Sequence, residues 1–159
     1  MSDAHILIQA AKAGSEITIK SLLERFPDMD LEMRRGMETE TPLLHAASSG
    51  NLASTKLLLA AGASIDAVYK SGNIVHSAIT APSLDILKFL ATQNVDWQAR
   101  GQLTLEEDGN FLLRDATPLH RAAAHCNSGF LDFFWSIASN KTQTFLPLVK
   151  KFTRFIYQR

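Results

Sequence analysis

The sequence predicts an all-α solenoid of about four stacked helix pairs, and three observations predict it. The chain repeats itself: an offset of 36 residues lays Ala10-Ala11 on Ala46-Ala47, Gly14 on Gly50, Lys20 on Lys56, Leu22-Leu23 on Leu58-Leu59 and Asp30 on Asp66. Within each copy, two short stretches with apolar residues at helical spacing flank a turn residue such as Gly14 or Gly50. Neither stretch could bury its apolar face alone, so the copies have to stack.

Taken in order, the first pair is expected at 3–13 and 16–25. The second, 42–49 with 52–60, opens on Thr41-Pro42, and proline suits a first helical turn because its missing N–H would be unpaired there anyway. Gly50 and Gly62 can take the positive φ that ends each of its helices. The third copy is weaker, with Val75-His76-Ser77-Ala78 and then SLDILKFL, placing helices at 75–81 and 84–92; Asn94 stands where the second copy has Gly62. The fourth, 118–125 with 129–138, opens strongly on Thr117-Pro118-Leu119-His120-Arg121-Ala122-Ala123. The Ala-Ala pairs let neighbouring first helices approach closely, where bulk would overpack the stack.

The links between copies carry turn chemistry. LEMRRGMETE turns at Gly36, and AVYKSG ends at Gly72. The third link is long, ARGQLTLEEDGNFLLRDA, with Leu103-Thr104-Leu105 and Phe111-Leu112-Leu113 on either side of Asp108-Gly109. Asp-Gly between apolar runs predicts a β-hairpin, since both positions can reach positive φ.

Composition narrows the function classes. With 159 residues, 46% hydrophobic and 20% charged, the chain reads as one folded domain. Net charge is zero, which favours neither nucleic acid nor a membrane surface. The balance hides a split. All sixteen acidic residues lie at or before Asp132, while Lys141, Lys150, Lys151, Arg154 and Arg159 follow it, so the tail carries plus five and the rest minus five. A lone cysteine, Cys126, rules out an internal disulfide and suits a reducing compartment. The first residues lack the basic and apolar regions of a secretion signal, and no apolar run approaches the ~18 residues of a membrane span. The expected location is the cytoplasm or nucleus, with Asn140-Lys141-Thr142 an accidental glycosylation pattern.

These residues together resemble the ankyrin-repeat family, whose pattern is a Thr-Pro-Leu-His-x-Ala-Ala first helix, a Gly turn, a Leu-rich second helix, then Gly-Ala-Asp and a β-hairpin finger. Thr117 to Ala123 matches the opening almost residue for residue. Gly50, Leu57 to Leu59 and Gly62-Ala63 match the middle and end, and the resemblance covers roughly residues 3 to 137. It implies an ankyrin-repeat solenoid over 1–140, with repeats near 3–36, 37–70, 71–101 and 115–140, an insertion at 102–114, and a basic amphipathic helix or cap at 141–159. Several positions depart from the pattern. Leu44 takes the family's His slot, with His45 one residue later; Asn73-Ile74 replaces Thr-Pro; Pro82 and Cys126 stand near inter-helix Gly positions. A non-Gly residue in left-handed geometry costs about 1 kcal/mol, so the third and fourth repeats are expected to be the weaker part.

No catalytic constellation emerges. Ser48-Ser49 lacks a nucleophile elbow, no Gly-rich loop precedes a phosphate-binding Lys, and the adjacent acids Glu106, Glu107 and Asp108 suit a solvated turn better than general acid–base work. His76 and His120 sit in the motif's His slot, where the resemblance implies that imidazole bonds backbone and ties repeats together. No second ligand stands at metal spacing. No cofactor, metal or enzymatic activity is expected.

The expected activity is protein binding on the concave face built from first helices and fingers. By the resemblance, the contact residues fall at Lys12, Ser48, Ser49, Thr80 and His125 on the helices, and at Met33, Arg34, Arg35, Met37, Tyr69, Lys70 and Arg100 on the fingers. Trp97 stands where the family packs an aliphatic, so it is expected to be a buried anchor. The tail places Phe145, Leu148, Val149, Phe152 and Ile156 at helical spacing among basic residues. It is expected to cap the last repeat; the alternative is a tether to an acidic membrane surface.

Overall fold

A computed structural model describes residues 3–34, 40–105, 111–124, 129–133 and 136. The helix pairs fall where the repeat places them: α1 (Asp3–Ala13) with α2 (Glu16–Arg25), α3 (Pro42–Ser48) with α4 (Leu52–Ala60), and α5 (Ile74–Ile79) with α6 (Asp85–Ala91). The hairpin of β1 (Gly101–Leu105) and β2 (Phe111–Ala116) follows, then α7 (Pro118–Ala124) and helical residues at 129–133 and 136. The fold is that of an ankyrin solenoid, mostly helical with little strand.

The first helices α1, α3, α5 and α7 pack against one another in a row, and α2 packs on α4 behind them. Leu7, Ala11, Ile19, Leu43, Ala46, Ala47, Leu58, Val75, Ala78, Leu87, Leu90 and Ala122 form one continuous buried core. The alanines lie where the first helices meet, as their small size requires. In the second row α4 and α6 meet less closely than α2 and α4. A cation–π contact also spans them, the Lys56 ammonium 5.2 Å from the Phe89 ring centroid.

Local chemistry starts and stops these helices. Thr41 caps α3, its Oγ1 accepting the Leu44 N–H at 3.4 Å, with Pro42 in the first turn. Asn73 replaces threonine as the cap of α5, accepting the Val75 N–H at 3.1 Å, so the motif's departure there changes the capping residue and keeps the cap. Gly14 turns between α1 and α2 with φ +71°, and a Cβ there would lie 2.5 Å from Asn51 Oδ1 of the next repeat. Only glycine satisfies both the backbone and its neighbour. The Asn51 amide uses that space to donate to the carbonyls of Ala11 (3.2 Å) and Lys12 (3.1 Å), two of the four carbonyls that a helix end leaves unpaired.

The third repeat corrects one expectation. Neither Pro82 nor Asn94 adopts left-handed geometry; among described residues the one non-Gly positive φ is at Asp115 (+62°). Proline's ring forbids positive φ, so the turn after α5 is remade without that strain. Ala81 N–H bonds the Ala78 carbonyl at 3.2 Å, and Ser83 Oγ accepts the Asp85 N–H at 3.0 Å to start α6. Pro82 then packs over Gly50. The remodelling shortens the pair, so α5 ends at Ile79 and α6 runs 85–91. Cys126, its counterpart in the fourth copy, lies outside the described residues, as does the tail 141–159.

Asn51→Ala is expected to lower stability by about 1 kcal/mol, since it removes the side-chain donor to the Lys12 carbonyl and one of two donors to the Ala11 carbonyl, which keeps the Gly14 N–H at 3.3 Å. The shift in urea midpoint at unchanged slope measures it.

Candidate partner-binding face

The fingers between repeats are held side by side by bonds that each run from one repeat to the next. On the first finger, Glu32 accepts the Ser64 N–H at 2.8 Å through Oε1 and the Tyr69 hydroxyl through Oε2. The Arg34 guanidinium lies 5.1 Å from the Tyr69 ring centroid. Burial, and next the Glu32 carboxylate, push the Tyr69 phenol above its ordinary pKa, so it stays a proton donor to Glu32.

The second finger closes tightly. Tyr69 and Gly72 exchange N–H···O=C bonds of 2.9 Å in both directions. Gly72 has φ +108° and lies so close to His76 that a Cβ would sit 2.4 Å from the ring. The third finger starts flush against it: Gly101 faces the Gly72 backbone, and Gln102 N–H donates to the Lys70 carbonyl at 2.8 Å. Arg121, on α7, fastens both. Its Nη2 donates to the carbonyls of Ser71 (2.8 Å) and Gln102 (2.9 Å). Burial lowers its pKa and the Glu40 carboxylate raises it. Charge-assisted bonds of this kind contribute roughly 1.5–3 kcal/mol each.

His76 is the buried centre of this arrangement. Its Nδ1 accepts the Asn73 N–H at 3.2 Å, which leaves the proton on Nε2 to donate to the Ala116 carbonyl at 2.9 Å. The imidazole therefore joins the third repeat to the start of the fourth, as its motif slot implied. His120 repeats the local half of the pattern, with Nδ1 accepting the Thr117 N–H at 3.2 Å. In the second repeat Leu44 fills the slot and is buried, while His45 turns to Glu40 at 3.4 Å.

Of the expected contact residues, Arg34, Tyr69, Lys70 and Arg100 come together on this rim. Arg34, Lys70 and Arg100 are exposed, and Arg100 Nη1 reaches the Asp115 carbonyl at 3.3 Å. Tyr69 is half-buried and serves the finger tie described above. Lys12, Ser48 and Ser49 are half-buried on the first helices and Thr80 is exposed. The hydroxyls of Ser48 and Thr80 donate to carbonyls of their own helices, His45 at 3.1 Å and Ser77 at 2.7 Å. Met33 is half-buried against the core and lines a shallow cleft of about 490 Å³ with Phe26, Met29 and Arg25. Arg35, Met37 and His125 lie outside the described residues. Trp97 is a half-buried packing residue, its ring centroid 6.3 Å from that of Phe133.

Sequence reasoning missed three residues here. Glu32 and Arg121 set the spacing of the fingers, and Val68, 56% exposed next to Tyr69, is the apolar member of the rim. Arg121 could have been found, because it fills the variable position inside Thr117–Ala123. Nothing in a single sequence marks Glu32. Among the described residues no three His, Cys, Asp or Glu side chains converge as metal ligands would, and no helix is long and apolar enough to cross a membrane.

A family model described as ankyrin repeats (3 copies) matches residues 7–101. No curated protein matches the chain.

The His76 geometry sets a pH dependence. Burial, aided by the nearby Arg121 charge and opposed by the Ala116 carbonyl and Asp96, lowers its pKa from 6.5 to about 4. Between those values the unfolded chain binds a proton that the folded one refuses. The His76 contribution is thus complete above pH 6.5 and falls as the pH drops toward 4, by roughly 3 kcal/mol. His76→Gln is expected to be less stable than the parent at pH 7, with the gap closing by about that amount at pH 4, as read from urea denaturation at the two pH values.

Proposed function

The chain belongs to the ankyrin-repeat family, and on that premise we propose that it is a non-catalytic scaffold or adaptor that binds a protein partner through its concave face and fingers. Ankyrin repeats are generally protein–protein interaction modules, and the family is typically non-catalytic. The observation that carries the reading for this chain is the tied finger rim. Glu32, Tyr69, Gln102 and Arg121 hold three consecutive fingers in fixed register, and Arg34, Val68, Lys70 and Arg100 stand exposed along them.

Such a rim binds at low entropic cost, because the backbone presenting the contact residues is ordered beforehand. Affinity then comes from a few anchors and not from total area. Val68 offers an apolar contact and Arg34 a charged planar one, both placed by bonds internal to the protein. The partner acts in the cytoplasm or nucleus on this reading, where a chain with one cysteine needs no disulfide.

Partners retained by the immobilised chain and identified by mass spectrometry supply purified candidates for titration calorimetry. Val68→Asp combined with Lys70→Glu and Arg100→Glu is expected to weaken the binding of a true partner at least tenfold, about 1.4 kcal/mol, with the circular dichroism unchanged. Undiminished affinity in the natively folded variant would place the binding surface elsewhere.

A further inference from the structure

The shallow cleft on the first repeat lies apart from the finger rim. The turn at Gly14 sets α1 and α2 against each other in opposite directions, so the start of one meets the end of the other at a single edge. Asp3 comes from the start of α1 and Arg25 from the end of α2. The chain leaving α2 completes the cleft with Phe26, Asp28, Met29 and Met33. Its volume of about 490 Å³ is within the range of ligand sites, and Arg34, Val68, Lys70 and Arg100 do not line it.

The floor is apolar and the edge is acidic. Phe26, Met29 and Met33 are half-buried, packed on the core and still open to the cleft. Methionine suits such a floor, because its unbranched, polarizable side chain repacks around a guest. Asp3 and Asp28 are exposed, and among the described residues neither carboxylate has an ion-pair partner. Arg25 is the cation of the lining, its guanidinium 5.3 Å from the Phe26 ring centroid. From Glu24 to Glu32 the chain carries four acids, Glu24, Asp28, Asp30 and Glu32, against Arg25 alone, so the local charge is negative. Asp30 and Glu32 already accept bonds within the fingers, from the Glu32 N–H at 2.9 Å and the Ser64 N–H at 2.8 Å. Asp3 and Asp28 are left to meet a newcomer.

We propose that this cleft is a second docking site, which takes from a partner protein an apolar side chain flanked by lysine or arginine. The apolar group covers the Phe26, Met29 and Met33 surfaces, and the flanking cation pairs with Asp28 or Asp3 at the edge. Charge complementarity selects this occupant. An acidic segment would bring like charges against two unpaired carboxylates, and a purely apolar one would leave both unused. Met33 thus acts here and not on the rim, and the site stands whether or not the rim binds a partner.

Methyl NMR on the full chain tests this. Its four methionines give a simple spectrum when labelled with carbon-13, and Met29→Leu and Met33→Leu assign the two signals of interest. The probe is the synthetic peptide Lys-Leu-Lys-Lys-Leu-Lys, with Glu-Leu-Glu-Glu-Leu-Glu and Lys-Ser-Lys-Lys-Ser-Lys as controls. Only the first is expected to shift the Met29 and Met33 methyls saturably, with an affinity that falls as salt is raised. Asp28→Lys is expected to weaken that binding by about fivefold with the circular dichroism unchanged. Lys70→Glu with Arg100→Glu, on the rim, is expected to leave it unchanged. Absence of a saturable shift overturns the proposal, and so do equal shifts with either control peptide. Binding that ignores Asp28→Lys and responds to the rim variant overturns it as well, and places the peptide on the fingers.

Discussion

The structure depends on satisfying backbone groups that no sheet or helix satisfies. A helix leaves carbonyls unpaired at its end, and a two-residue finger leaves them unpaired at its tip. In this chain a neighbouring repeat supplies the donor. Asn51 serves the carbonyls that close α1, Arg121 serves Ser71 and Gln102, and His76 serves Ala116. Each bond orders its own repeat and fixes that repeat against its neighbour, which is why the apolar faces meet in register. Apolar burial drives the stacking, but it is non-directional and would tolerate sliding. The polar ties fix which atoms meet.

This division explains what a single sequence could reveal. The helix pairs were legible because their signals are local and repeated: Pro42 and Thr41 at a start, Gly14 and Gly50 at turns, leucines at helical spacing. The hairpin was legible from Asp108-Gly109 between apolar runs, and β1 and β2 form where those runs lie. The remade turn at Pro82 was not. Motif matching located the position, but the conformation followed from proline's own φ limit and from Ser83, outside the motif, whose hydroxyl accepts the Asp85 N–H. At the candidate face, Arg34, Lys70 and Arg100 were found by position. Glu32 escaped, since its two acceptor bonds run to Ser64 and Tyr69, more than thirty residues away and in no fixed pattern.

Tyr69 shows how binding and support share residues on such a surface. Its type and place suggested a contact residue, and its ring does stand beside Arg34 on the rim. Yet its hydroxyl is spent on Glu32, so the side chain that a partner would touch also fixes the distance between two fingers. Removing it would change the position of Val68 and Lys70 as well as its own contact. Exposed neighbours that hold nothing in place separate the two roles more cleanly.

The uneven packing of the two helix rows has a mechanical consequence. The inner row of α1, α3, α5 and α7 is continuous, whereas in the outer row α4 and α6 meet less closely than α2 and α4, with Lys56 set over the half-buried Phe89 ring between them. Resistance to bending is therefore greatest along the inner row. Between the second and third repeats the stack therefore has a softer outer seam. The fingers, fastened to the stiff side, would move through such a bend with little change in their mutual spacing. Curvature and rim geometry are thus largely separate properties of this protein.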